Sequence, residues 1–280
     1  MMDQTSHSVV DDPLRVHRHE SSRVIEKWAP PHKPVTNLAS LFEAKAALRD
    51  RAAIVFHQEG TLPPVYCVPG LLGWDAFVGL IAEHLEPERP VLALQAHSLA
   101  TGAPDFPDSI AAIAEDYLTT VRQHQSAGPY HLIGWCSGSF IVFEMAMRLL
   151  AEREEVARLI LIDPPVPPIS EASAARVRQQ IAAVRKVQLG SEAARAYRDA
   201  VARTMSTIGR AIRAYYPNPY PNELVILYSG EQSAALTAET SAWRQAAKGP
   251  LKVAEIAPTN SSMIREHLPR LGAYIRGLLK

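Results

Sequence analysis

The chain has 280 residues, 47% of them hydrophobic, enough for one large α/β domain with a continuous core. Its 29 basic residues balance 29 acidic ones, which excludes a global field for nucleic acid or an anionic membrane and leaves partner choice to local patches. The two cysteines, Cys67 and Cys136, lie in separate apolar segments and read as thiols of a cytoplasmic protein, not as a disulfide framework. No run approaches the roughly 18 apolar residues of a membrane span, and the polar amino terminus lacks the apolar core of a secretion signal.

Residues 1–50 read as a polar arm and linker with some helical character, punctuated by Pro30, Pro31 and Pro34, and residues 51–280 as the folded domain. In chain order the folded part predicts strands over 52–56 and 64–68, a helix over 75–86, a strand over 91–95 and a helix over 108–125. A strand over 130–135, a helix over 137–152 and a strand over 159–163 follow. A segment of about 168–216 then breaks the alternation. It is helical throughout, rich in Ala and Arg, and reads as a lid inserted between two strands. The remainder predicts a strand over 223–228, a helix over 239–248, a strand over 252–256 and a helix over 265–279. Such alternation implies a mostly parallel sheet covered by helices on both faces, with its site at the carboxyl ends of the strands.

The lid is locally basic. Within 171–214, nine basic residues, among them Arg176, Arg178, Arg185 and Lys186, stand against Glu171, Glu192 and Asp199, so nine minus three gives +6. A solvated helix face accounts for this as well as a dock for an acidic protein or a phosphate-bearing arm does.

Three segments carry chemistry. Leu132-Ile-Gly-Trp-Cys-Ser-Gly-Ser139 reads as strand, sharp turn and helix around G-x-C-x-G, a nucleophile elbow with a thiol where a hydroxyl is usual. The elbow places Cys136 at a helix N-terminus, where orphan amides and the helix dipole favour a thiolate. The strand ending at Asp163 brings a carboxylate to the same edge of the sheet, where it can orient a second polar group or merely cap a turn. Val68-Pro-Gly-Leu-Leu-Gly73 follows an apolar strand, and its Leu71 amide can join that of Ser137 as an oxyanion hole.

These segments carry a resemblance. Pro129-Tyr-His-Leu-Ile-Gly-Trp-Cys-Ser-Gly138, Glu154-Glu-Val-Ala-Arg-Leu-Ile-Leu-Ile-Asp163 and the lid-closing Tyr216-Pro-Asn-Pro-Tyr-Pro221 resemble the thioesterase family of nonribosomal peptide and polyketide synthases from about residue 50 onward. The resemblance implies an α/β-hydrolase fold and substrates carried as phosphopantetheine thioesters on peptidyl or acyl carrier proteins. No bound cofactor, nucleic acid or membrane is implied. In character the chain is most similar to stand-alone shuttles that move aminoacyl groups between carriers through a cysteine.

The family's general base lies in a G-x-H-x-x-M/L turn after the last strand. Here that stretch reads Ala257-Pro-Thr-Asn-Ser-Ser-Met-Ile264, which puts Asn260 at the histidine position. Asparagine cannot take a proton. His267, followed by Leu-Pro-Arg-Leu, and His97, at the exit of the 91–95 strand, are the candidate substitutes. His131 sits at the far end of its strand, about 16 Å from Cys136 at roughly 3.3 Å per residue, and reads as structural. Three functions remain open: acyl or aminoacyl transfer through Cys136, hydrolytic editing or release with His267 or His97 as base, and a silent adaptor that binds carriers.

Overall fold

The computed structural model describes residues 39–40, 42, 53–56, 60–72, 76–96, 99 and 107–280. Their strands are β1 (Ala53–Phe56), β2 (Val65–Val68), β3 (Val91–Leu94), β4 (Tyr130–Trp135), β5 (Val156–Ile162), β6 (Leu224–Ser229) and β7 (Leu251–Ala257). They form one sheet in the order β1-β3-β2-β4-β5-β6-β7, with β1 antiparallel to β3 and the other six mutually parallel. The chain therefore adopts an α/β fold with a mostly parallel central sheet.

The long helices are α1 (Ala76–Ala82), α2 (Ile110–His124), α3 (Gly138–Ala151), α4 (Glu171–Arg185) and α5 (Glu192–Arg213). Two short ones, α6 (Ser233–Thr237) and α7 (Ala242–Ala246), precede β7, and α8 (Asn260–Arg265) and α9 (Leu268–Leu278) follow it. A central strand covered on both faces has no polar side to display, which is why 130–135 and 159–162 read as continuous apolar runs. The pleat sorts them. Leu132, Leu159, Leu161 and Ile226 pack with α2 and α3 on one face, while Ile133, Ile160, Ile162 and Leu227 pack with α1 and α9 on the other.

Two helical stretches are more broken than the sequence predicts. The helix expected over 265–279 starts only at Leu268, as α9, with Pro269 in its first turn, and the short α8, which was not expected, stands as a separate helix before it because Pro269 cannot continue an incoming helix. Only 242–246 of the helix expected over 239–248 forms. Its Trp243 is pinned by a hydrogen bond from Nε1 to the Pro165 carbonyl at 2.9 Å. The segment expected to be a lid is two helices, α4 and α5. Each starts on a serine cap: Ser170 accepts from the Ser173 N–H and Ser191 from the Ala194 N–H, both at 3.1 Å. The apolar sides of α4 and α5 meet Ala96 and Leu99 beyond β3, and Phe42 from the N-terminal segment, in a separate buried cluster.

No helix among the described residues is long and apolar enough to cross a membrane.

Candidate active site

Cys136 follows β4 directly and takes φ = 49°. Only a residue held by its surroundings keeps such a left-handed backbone, and it turns the side chain out of the sheet plane at the strand end. The Cys136 N–H donates to the Ile162 carbonyl at 2.7 Å, a last rung on the β4–β5 ladder, and its own carbonyl accepts from the Ser139 N–H at 3.0 Å as α3 begins. Two glycines make the crossing possible. A Cβ at Gly134 would lie 2.7 Å from Ser139 Cα, and one at Gly138 would lie 2.2 Å from the Pro69 carbonyl oxygen and 2.5 Å from that of Val68.

That second contact seats the elbow against the loop after β2. From the other side, a Cβ at Gly70 would stand 3.7 Å from Cys136 Cβ and 3.2 Å from Trp135 Cδ1. Leu71, half-buried, is the residue after Gly70 in that loop, and Ser137, buried, is the N-cap of α3 directly after Cys136.

Asp163 follows β5 as Cys136 follows β4. Trp135 and Ile162 are register partners, so Cys136 and Asp163 are the next residues along neighbouring parallel strands, which run about 4.8 Å apart. Asp163 also has φ = 49°, and its N–H donates to the Leu227 carbonyl at 2.7 Å. Its carboxylate is 2% exposed and accepts three hydrogen bonds. Oδ1 takes the N–H and the hydroxyl of Ser229, each at 2.8 Å, and Oδ2 takes Nδ2 of Asn260 at 2.7 Å. A buried carboxyl group needs its oxygens hydrogen-bonded in this way.

Asn260 opens α8. Thr259 caps that helix through a reciprocal pair with Ser262, and the Asn260 N–H donates to Glu231 Oε2 at 3.1 Å. The register read from the sequence therefore has a spatial counterpart: the asparagine lies on the aspartate, where an orienting carboxylate would hold a base. Ser229 and Glu231 carry no motif that singles them out, and only the tertiary contacts reveal them.

His267 is placed elsewhere. It is the N-cap of α9, its N–H donating to the Ser262 carbonyl at 3.0 Å, and the six residues of α8 separate it from the start of that helix. Asn260, and not His267, contacts Asp163. His97 lies outside the described residues. His131 is buried in β4, 7% exposed, and its pKa is pushed down to about 4, first by burial and then by the neighbouring Arg89 and Arg158. Arg176, Arg178, Arg185 and Lys186 are all exposed on or just after α4. Arg178 pairs with Glu171 at 2.5 Å, and Arg213 reaches the same carboxylate at 3.3 Å.

Beyond the elbow, an aromatic group ties the end of the lid to α3. Phe140 meets Tyr215 edge-on at 6.0 Å and Trp243 at 5.2 Å, while Phe143 meets Tyr220 at 5.6 Å. Tyr215 donates to Glu144 Oε2 at 2.9 Å, and burial, with Glu144 beside it, pushes its phenol well above the usual range.

The thioesterase-domain family model matches residues 63–276, which hold the elbow, Asp163, the lid and Asn260. The chain belongs to the thioesterase family. Curated relatives of this thioesterase include malpibaldin synthetase of Mortierella alpina, 35% identical over 41% of the chain and 2% of the synthetase. Indigoidine synthase of Dickeya dadantii is 33% identical over 44% of the chain and 8% of the synthase. A dimodular nonribosomal peptide synthase of Bacillus subtilis is 35% identical over 37% of the chain and 4% of its own length. The chain thus spans a small fraction of the length of the synthetases it matches. Among solved structures, the NocB thioesterase domain superposes with a TM-score of 0.65 at 21% identity, covering 82% of this chain and 100% of that one. The type II thioesterase BorB gives 0.62 at 19% identity, covering 81% and 97%. At these identities the structures share the α/β-hydrolase fold of the thioesterases.

Proposed function

We propose that the chain is an acyl- or aminoacyltransferase that moves a group from one carrier protein's phosphopantetheine thioester to another carrier's thiol, through a thioester on Cys136, in nonribosomal peptide or polyketide biosynthesis in the cytoplasm. The observation that carries this reading is the Asn260 Nδ2 on Asp163 at 2.7 Å, in the place of a general base.

The Cys136 thiolate attacks the thioester carbonyl. A bond from the Cys136 sulfur to the acyl carbon forms, the bond from pantetheine sulfur to that carbon breaks with its electron pair going to sulfur, and the departing pantetheine thiolate takes up from solvent a proton equal to the one Cys136 released on ionising. Repeating the step with a second pantetheine thiol as attacker returns Cys136. Both halves exchange one thioester for another, so each runs near equilibrium. The Ser137 and Leu71 amides stabilise the oxyanion, while Asp163, held by Ser229, fixes Asn260.

General-base assistance is worth about 10² to 10⁴ in rate, and water needs it more than a thiol, which is partly ionised near neutrality. A site with cysteine and asparagine therefore loses hydrolysis first and keeps thiol exchange. The exposed basic residues Arg176, Arg178, Arg185 and Lys186 offer the carrier an electrostatic dock. Intact-protein mass spectrometry on a mixture with one acyl-loaded and one empty carrier tests the proposal. The expected result is an adduct on Cys136 and label on the second carrier, both abolished by Cys136→Ala. Release of free acid without transfer, or transfer undiminished in the alanine variant, refutes it.

A further inference from the structure

We infer that the side-chain hydroxyl of Ser137 is a third donor of the oxyanion hole, added to the amides of Ser137 and Leu71. The inference rests on the covalent step proposed above and names a further catalytic group for it. Ser137 is 3% exposed, yet its hydroxyl has no hydrogen-bond partner among the described residues. Serines that open other helices use theirs as caps: Ser109, Ser170 and Ser191 have extended backbones, and each accepts from an amide of its own helix. Ser137, at φ = −63° and ψ = −23°, is already helical, and its side chain caps nothing. Two residues on, the equally buried Ser139 gives its hydroxyl to the Gly134 carbonyl at 3.1 Å. A buried hydroxyl left unpaired weakens the fold. Only at Ser137 does such a group stand directly after the nucleophile.

The reach of that hydroxyl is set by covalent geometry. In any staggered rotamer a serine Oγ stands about 3 to 4 Å from its own nitrogen. With φ near −60° the N–H lies on the side of the residue that carries Cβ, so an oxygen that accepts from the N–H has the hydroxyl beside it as well. The site already holds one instance. Ser229, at φ = −91°, gives both its N–H and its hydroxyl to the single oxygen Oδ1 of Asp163, each at 2.8 Å. The Ser137 N–H has no backbone partner among the described residues, so amide and hydroxyl are together available to one oxygen. As the Cys136 thiolate adds to the thioester, the π pair of the carbonyl moves onto its oxygen, and as the pantetheine thiolate departs the pair returns. The hydroxyl donates a hydrogen bond to that oxygen and keeps its proton throughout. An acceptor that gains its charge on the way to the transition state is held more tightly there than in the ground state, and that difference is what speeds the step.

Ser137→Ala tests this, because it keeps the amide and removes only the hydroxyl. The full chain is mixed with the N-acetylcysteamine thioester of acetic acid, so that neither carrier docking nor onward transfer enters. Adduct formation on Cys136 is timed by intact-protein mass spectrometry over a range of thioester concentrations. The limiting acylation rate is expected to fall about 10²-fold in the variant, with the half-saturating concentration and the melting temperature close to wild type. The carbonyl stretch of isotope-labelled acetyl-Cys136, read by difference infrared spectroscopy, is expected to rise as a hydrogen bond to its oxygen is lost. A wild-type rate in the variant overturns the inference while leaving the Cys136 thioester standing. So does a variant that fails to fold, or one that loses rate with the stretch unmoved, because either result gives the hydroxyl a structural role. Wild type that forms no adduct overturns the covalent reading itself, and this inference with it.

Discussion

Replacing Asn260 with histidine tests how the two substitutions at the site work together. In both side chains the nitrogen that faces Asp163 is three bonds from Cα, so Nδ1–H of a histidine can take over the present 2.7 Å bond from Nδ2 to Oδ2 with the backbone unmoved. The backbone has its own supports, the Thr259 cap and the Glu231 bond to the Asn260 N–H, and neither depends on the side chain. An Asp163-bound Nδ1–H fixes the tautomer that leaves Nε2 as the base on the far side of the ring. A base in that place is worth about 10² to 10⁴, or roughly 3 to 5 kcal/mol of barrier. The expectation is that Asn260→His shortens the life of acyl-Cys136 in water by about a hundredfold or more, with free acid as product. The gain should rise with pH through the histidine's titration near 6.5, whereas Asn260→Gln leaves the adduct long-lived. Timed mass spectrometry of the preloaded protein, with acid quantified in parallel, reads both. A folded, fully acylated histidine variant that hydrolyses at the wild-type rate refutes the claim that Asn260 occupies the position of a base.

Gly138→Ala drives a Cβ to within 2.2 Å of the Pro69 carbonyl. It is expected to displace the Leu71 loop, slowing Cys136 acylation by about 10²-fold or more, comparable to losing an oxyanion donor; near-normal acylation with unchanged melting would contradict the close packing. Ser229→Ala removes one of three donors to a buried carboxylate and should cost about 1 to 3 kcal/mol of stability, read as a lower urea midpoint with an unchanged slope. His131 has its folded-state pKa lowered from 6.5 to about 4. The unfolded chain therefore binds the extra proton first, and stability present above about 6.5 is lost as pH falls toward 4, by about 2 to 3 kcal/mol. Urea unfolding of wild type and His131→Gln at pH 7 and pH 4.5 should show that part of the slope vanish in the variant. Reversing Arg178 and Arg185 to glutamate should raise KM for a loaded carrier and flatten its salt dependence while leaving acylation by small thioesters unchanged.

The parts of the site that are legible in the sequence are those set by local backbone. The elbow needs small residues at 134 and 138 because a strand and a helix must cross there, and that demand shows as a motif. Asn260 is legible through its fixed offset from Met263, which is buried on α8. The sheet is legible because its strands are apolar on both faces. Ser229 donates to Asp163 only because β6 lies beside β5, a tertiary fact with no trace in the residue itself. Phe42 is the same case at greater range: one apolar residue in a polar arm becomes a core residue only when α5 lies over it. His267 shows the converse, since a family-like H-x-x-x-L pattern arises at a helix cap while the hydrogen bond to Asp163 Oδ2 comes from Asn260.

Cys136 and Asp163 each hang from the neighbouring strand by their own amide, Cys136 on Ile162 and Asp163 on Leu227, as a staircase across β4, β5 and β6. Those two amide protons are consequently tied to the central strands of the sheet. Their exchange with solvent should track global unfolding, while amides of α4 and α5 exchange through smaller openings. On the proposed function, exchange at α4 and α5 before the elbow amides would mean that the helices over 171–213 open to a substrate without loosening the aim of the sulfur, so that access and alignment belong to separately melting parts of one chain.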